Sequence, residues 1–219
     1  KEGKAPGGYC TDLSDYKAPF VFSNFNGTAA DVDVLTHEMG HAFAFYTAAR
    51  SGRIPEYLNP TYEACEVHSM SMEFLTSAHH EKFFGPDTKK YEFAHCADAL
   101  VFLPYGTMVD EFQHIVYEKP ELTPEERNQV WLSLEKKYRP YNDLSGLPFY
   151  EEGAGWERQN HIFLNPFYYI DYCLAQICAL ELWEESQTDF KTALIKYNQL
   201  CECGGTKTFL EILKGAGLE

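Results

Sequence analysis

Five consecutive residues, His37-Glu38-Met39-Gly40-His41, carry the densest chemistry in this chain. On an α-helix, His37 and His41 stand at i and i+4, one above the other on a single face, so both imidazoles can address one ion. Glu38 stands beside them. Imidazole nitrogen is a zinc ligand, and a neighbouring carboxylate can take a proton from a water held by that metal, so the pattern points to hydrolysis by activated water. Catalytic zinc takes three protein ligands and leaves its fourth position to water. A third ligand, His, Asp or Glu, is therefore expected on a later element packed beside the first helix.

A helix expected over residues 61–84 carries Glu63, Glu66, Met70 and Glu73 at spacings of three, four and three, which keeps them on one face. Such a stripe is ordinarily a solvated face. Beside the His/Glu motif it becomes the source of the third ligand, and antiparallel packing of the two helices would bring Glu66 to the ion. Spacing alone leaves Glu63 and Glu73 as alternatives.

The elements that must position these groups follow from local signals. Glycines and prolines break residues 1–19, and Gly8–Thr11 and Phe20–Phe25 read as two short strands of a small sheet beside the site. An edge strand there could pair with the backbone of an extended peptide. Asn26-Gly27 is a turn, and Thr28 with an acid at Asp31 reads as the cap of a helix that runs through the motif to about Ser51. Residues 52–60 are a loop. Residues 88–118 are helical, with a kink or break expected at Pro104-Tyr105-Gly106. Thr123-Pro-Glu-Glu126 is a capping box that opens a helix to about Lys137. Pro140–Gly155 is a loop that delivers Trp156–Phe163, and an apolar helix then runs from Pro166 to about Glu185. Two shorter helices, near 189–201 and 207–214, flank Gly204-Gly205.

Composition narrows the class. A chain of 219 residues with 45% apolar content suits a single domain with a sizeable core, spanning 1–219. A net charge of −15 argues against nucleic acid, which needs Lys and Arg at the contact surface. No run of apolar residues is long enough to cross a bilayer, so no membrane partner is expected. Seven cysteines without framework spacing fit reduced thiols in the cytoplasm, and Cys201-Glu-Cys203 lacks the second pair that a metal knuckle needs. The abrupt start at Lys1, without methionine, leads us to expect a segment of something longer.

The quoted residues resemble the catalytic part of the thimet oligopeptidase and oligoendopeptidase F family of zinc peptidases, and oligoendopeptidase F most closely. The resemblance rests on His37-Glu-Met-Gly-His41 and on Glu66-Val-His-Ser69-Met-Ser-Met-Glu73, which follows the family's Glu-x-x-Ser-x-x-x-Glu pattern. It continues at Gly7-Gly8-Tyr9, at His161-Ile-Phe-Leu-Asn-Pro-Phe-Tyr168-Tyr-Ile-Asp-Tyr172 and at Gly204-Gly205-Thr-Lys-Thr-Phe-Leu-Glu, and so covers nearly the whole chain. It implies a mainly α, helical zincin domain with a small β-sheet near the N-terminus, belonging to an enzyme whose N-terminal half is absent here. It also implies that Glu66 is the third zinc ligand and that Glu63 and Glu73 orient imidazoles through their second nitrogens. His68 stands where proline or alanine is commoner in the family, and is expected either to compete for the metal or to line the cleft.

The implied activity is a zinc endopeptidase acting on short peptides, with one Zn2+ per chain held by His37, His41 and Glu66. Zinc-bound water attacks the peptide bond, Glu38 is general base, and His161, Tyr168 or Tyr172 donates to the oxyanion. Periodicity alone would assign those three aromatic-segment residues to a core. His79, His80, His95 and His114 match nothing and are expected at the surface or as satisfied core residues. The alternatives are a zinc carboxypeptidase, which needs a cationic anchor for the substrate carboxylate, and a non-catalytic metal- or peptide-binding fragment. Retention of Glu38 speaks against degeneration.

Overall fold

The computed structural model describes Gly3, residues 7–52 and residues 54–218; Pro6 and Arg53, which fall in the expected N-terminal breaks and the 52–60 loop, lie outside them. The chain is mainly α with a small antiparallel sheet near its N-terminus. In order the elements are β1 (Gly8–Leu13), β2 (Ala18–Ser23), α1 (Ala30–Ala49), α2 (Tyr62–Leu75), α3 (Glu81–Phe84), α4 (Thr88–Glu118), α5 (Pro124–Tyr138), α6 (Pro148–Glu151), α7 (Asn160–Leu164), α8 (Tyr169–Thr188), α9 (Phe190–Cys203) and α10 (Phe209–Ala216).

Three local expectations are met only in part. The acid expected to cap at Asp31 does so: its carboxylate accepts the Thr28 N–H at 2.9 Å, and those of Asn26 and Gly27 at 2.8 and 2.6 Å, folding the preceding turn onto α1, while the cap position falls at Ala29 with no side-chain cap bond. The helix expected to reach residue 84 stops at Leu75, where the Thr76 hydroxyl donates to the carbonyls of Met72 and Glu73 and competes with the next helical turn. Of the kink or break expected at Pro104, the break is absent, for α4 runs on through it. There the Leu103 carbonyl is reached by the Thr107 hydroxyl at 2.8 Å and the Cys173 thiol at 3.7 Å. Gly106 serves that packing rather than a turn, since a Cβ on it would lie 2.2 Å from Cys173 Sγ.

The chain forms two compact units, one built from residues 1–95 and 174–219 and the other from Cys96–Cys173, with the divisions falling inside α4 and α8. In the first unit β1 pairs antiparallel with β2, Gly8 opposite Ser23 and Leu13 opposite Ala18. Gly8 lets β1 settle on α1, because a Cβ there would meet Val34 Cγ1 at 2.4 Å. Helix α1 packs on α2 and α9. Its Gly40 lies directly on the α2 backbone, where an added Cβ would stand 2.5 Å from the His68 carbonyl oxygen and 2.6 Å from Ser69 Cα. Behind this crossing sits a core that includes Ala64, Val67, Leu182, Tyr197, Leu200 and Ile212. Each fully buried Val or Leu of this kind contributes about 1.5–3 kcal/mol relative to exposure. The Tyr197 hydroxyl donates to the His68 carbonyl at 3.0 Å, tying α9 to the same point of α2.

The second unit packs Met108, Val109 and Phe112 of α4 against Trp131 and Leu134 of α5 and against Trp156. Phe112 meets Trp131 edge to face, with centroids 5.1 Å apart. The capping box at Thr123 forms as expected, with reciprocal bonds between Thr123 and Glu126. The expected 140–155 loop contains the single turn of α6, followed by a 3-10 segment at Ala154–Arg158.

The crossing at Gly40 sets how closely α1 and α2 approach. Replacing Gly40 by Ala would gain up to about 1 kcal/mol of helix propensity, and a methyl group forced into a backbone contact loses more than that. Gly40→Ala is expected to lower the unfolding free energy by about 1–3 kcal/mol in urea titrations. Unchanged or higher stability would contradict this packing.

Candidate metal centre

Helix α1 carries the motif through its middle, where the backbone is fully hydrogen-bonded and side-chain directions are set. His37 and His41 project from one face, ring centroids 5.0 Å apart and nearly perpendicular. The close approach of α2 at Gly40 places Glu66 under both. Glu66 Oε2 is 3.2 Å from His37 Nε2 and 3.7 Å from His41 Nε2. These three residues form a group of ligand atoms that all lie within 4.8 Å of one another, the one such group of His, Cys, Asp or Glu among the described residues. Two imidazoles and a carboxylate are the ligand types of a catalytic zinc site, so the residues present fit the ion that the motif implies.

The surrounding bonds aim these groups. The Ser69 hydroxyl, wholly buried, donates to Glu66 Oε2 at 2.9 Å, which gives the serine of the Glu-x-x-Ser pattern a physical role as the residue that holds the carboxylate. Glu73 Oε1 lies 2.7 Å from His37 Nδ1, leaving Nε2 as the nitrogen turned to Glu66. Glu63, on the first turn of α2, is half-buried and makes no hydrogen bond or ion pair to either imidazole among the described residues. Of the two acids expected to orient imidazoles, Glu73 has the contact.

Electrostatics distinguishes the two histidines. Burial would lower the His37 pKa, but hydrogen bonds to Glu66 and Glu73 outweigh it and lift the value to about 10. Burial lowers His41 to about 4, against the opposing pull of Glu66. Positive charge is thus favoured between the two glutamates, while His41 presents a neutral imidazole. Glu38, 7% exposed, has its pKa raised, first by burial, with His37 opposing and Glu66 adding; a hydrogen bond from the Cys10 backbone also opposes the rise. A carboxylate shifted upward in this way is a stronger proton acceptor than an exposed one.

His68 does not belong to the three-residue group. It is 2% exposed, its Nε2 has no hydrogen-bond partner, and burial holds its pKa down at about 4. It is a core residue at the α2–α9 contact. His114 is exposed and paired with Asp110, as expected. His80 departs from the expectation of a satisfied core residue: it is buried against the rings of Phe84 and Tyr91 with neither ring nitrogen hydrogen-bonded, Nδ1 coming only within 3.7 Å of Glu92. His95 is a satisfied, largely buried histidine as expected, but its partner is specific: its Nε2 lies 3.0 Å from Glu73 Oε2. No spacing rule connects it to Glu73, because it sits on another helix. The Cys10 backbone contact was equally invisible, since main-chain groups leave no mark in residue types. All seven thiols are free.

In the second unit, His161, Tyr168 and Tyr172 gather into one aromatic cluster, as their segment suggested. The Tyr172 hydroxyl is 3.5 Å from His161 Nε2, and the Tyr168 and Tyr172 rings meet at 4.9 Å. The Tyr105 hydroxyl donates to Gln159 Oε1 at 2.8 Å, which turns the Gln159 amide nitrogen toward His161 Nδ1 at 2.7 Å. His161 Nδ1 therefore accepts, and the ring proton resides on Nε2, the nitrogen facing Tyr172.

The family model described as peptidase family M3 matches residues 1–219. Oligopeptidase PepF of Bacillus subtilis is 26% identical over 225 residues, covering 100% of this chain and 32% of that protein. An oligoendopeptidase F homolog of Borreliella burgdorferi is 25% identical, covering 99% of this chain and 37% of that protein. Among solved structures, PZ peptidase A with an inhibitor superposes with a TM-score of 0.96 at 55% identity, covering 100% of this chain and 39% of that one. The chain thus spans about a third of the length of the curated relatives it matches.

The Ser69 contact generates a prediction of its own. Ser69→Ala removes a donor from a buried carboxylate and is expected to weaken divalent-metal affinity roughly 10–100-fold, measured by chelator competition. An unchanged affinity would show that Glu66 needs no such support.

Proposed function

The chain belongs to peptidase family M3, and from that premise we propose that it is the catalytic part of a zinc-dependent endopeptidase that hydrolyses bonds within short peptides. The observation that carries this reading is the convergence of His37, His41 and Glu66 with a buried Glu38 beside them. Zinc would be held by His37 Nε2, His41 Nε2 and a Glu66 oxygen, one ion per chain. When bound there it would polarise a water and the scissile carbonyl and bring the water's pKa toward roughly 7. Glu38 would receive the water's proton on its carboxylate and deliver it to the leaving amine, a transfer that its upward-shifted pKa favours. Glu73 keeps the His37 proton on Nδ1, and Ser69 keeps Glu66 turned toward the imidazoles.

For His161, Tyr168 and Tyr172 the proposed role as donors to the oxyanion rests on the family resemblance and on the Nε2 proton that Gln159 enforces at His161. The proposed setting is the cytoplasm, which suits seven free thiols. The proposed partners are peptide substrates and the remaining part of a longer enzyme, in keeping with the coverage of the relatives.

The test is zinc content combined with cleavage of an internally quenched peptide blocked at both ends. About one zinc per chain and cleavage of the blocked peptide are expected; a carboxypeptidase would leave that peptide intact, and a binding fragment would cleave nothing. Glu38→Gln should retain zinc and lose cleavage by on the order of a hundredfold or more. His37→Ala and Glu66→Ala should lose the metal, and full occupancy in both would overturn the ligand assignment. His161→Phe and Tyr168→Phe are each expected to reduce kcat about a hundredfold or more with zinc content unchanged; an unaltered kcat removes that residue from the oxyanion role.

A further inference from the structure

A chain of contacts runs from the motif helix through α2 to α4 and back. The Glu73 carboxylate, with 14% of its side chain exposed, meets a ring nitrogen at each oxygen: His37 Nδ1 at 2.7 Å from Oε1 and His95 Nε2 at 3.0 Å from Oε2. An ionised carboxylate can only accept, so both nitrogens carry the proton. At His37 this holds one proton on Nδ1 and turns Nε2 toward Glu66, the nitrogen that would be bare with a metal bound. At His95 it fixes the second oxygen, and with it the plane of the carboxylate. A glutamate has a soft terminal torsion, and one donor alone would not determine which way Oε1 points.

His95 is itself packed against two rings. Phe74 lies at 4.5 Å between ring centroids, and Tyr91, one turn earlier on α4, stacks at 5.6 Å with an 11° interplanar angle. The Tyr91 hydroxyl donates to Asp33 on α1, one turn before His37. The His95 ring thus cannot swing without disturbing a stack anchored to the helix that bears the motif.

We propose that His95 is a positioning residue for the metal ligand His37, acting through Glu73. The inference rests on the reading of His37 as a ligand, and adds that ligand orientation is set three residues deep, His95 to Glu73 to His37. Supporting groups of this kind typically carry 10–100-fold in metal affinity.

Two substitutions separate this role from simple filling of space. His95→Phe keeps a ring against Phe74 and Tyr91 and removes the donor, whereas His95→Gln keeps a donor and removes the ring. Zinc dissociation constants come from chelator competition on the folded proteins, and thermal unfolding of the metal-free proteins reports stability separately. The expected result is a 10–100-fold weaker affinity for His95→Phe and recovery to within a fewfold of the parent for His95→Gln. Should the Phe ring not be accommodated, His95→Ala removes the donor without added bulk and serves the same comparison. Equal affinities in the donor-free and donor-retaining variants, or a loss confined to metal-free stability, would overturn the proposal. A parent protein that binds no zinc would instead overturn the underlying site assignment.

Discussion

The approach of α1 to α2 at Gly40 is the contact on which the candidate metal centre depends. With no side chain at that position, the α1 backbone rests on the His68 carbonyl and on Ser69 Cα, closer than any Cβ would permit. Ser69 follows His68, and Glu66 stands three residues before Ser69, so this closeness sets the height of the Glu66 carboxylate against the two imidazoles. Glu73 is spaced a further four residues from Ser69, which brings it to the far nitrogen of His37. One glycine therefore governs both Glu66, the candidate third ligand, and the acid bonded to Nδ1 of His37. Tyr197 of α9 reinforces the arrangement by donating to the carbonyl that Gly40 touches.

A second constraint is electrostatic. Glu38, Glu66 and Glu73 are all largely removed from solvent around two imidazoles. Burying an uncompensated carboxylate costs several kcal/mol, so each must find donors or a cation. The donors are identifiable: Ser69 for Glu66, His37 and His95 for Glu73, and the Cys10 backbone for Glu38. What they leave is a concentration of negative charge that raises the pKa of His37 against its burial, while burial first and Glu66 after it raise that of Glu38. A divalent cation held at the convergence of His37, His41 and Glu66 would answer that charge. The burial that brings these carboxylates together also shifts Glu38 upward.

The inner unit solves a comparable problem with aromatic packing. His161 is held by Gln159, which is held by Tyr105, and its ring is enclosed by Tyr168, Tyr169 and Tyr172. A chain of two neutral hydrogen bonds selects the tautomer there, where a buried carboxylate does so for His37. The divisions between the two units fall within α4 and α8. A boundary inside a continuous helix carries no glycine, proline or polar run to mark it, which is why nothing in the composition separated the units.

The amino-acid sequence by itself determined what depends on near neighbours along the chain. The i, i+4 placement of His37 and His41, the shared face of Glu66 and Glu73, the capping box at Thr123 and the helical class all follow from a period of 3.6 residues and from side-chain hydrogen bonding over three or four positions. Family resemblance then chose Glu66 from a stripe in which spacing left three acids open. Tertiary structure decided the rest. It gave Glu73 rather than Glu63 the contact to His37, brought His95 to Glu73 from another helix, withdrew His68 into the core, and carried α4 unbroken through Pro104. These outcomes depend on how helices cross and on which carbonyls find donors from distant residues. Both are set by packing between elements, and local sequence patterns do not encode them.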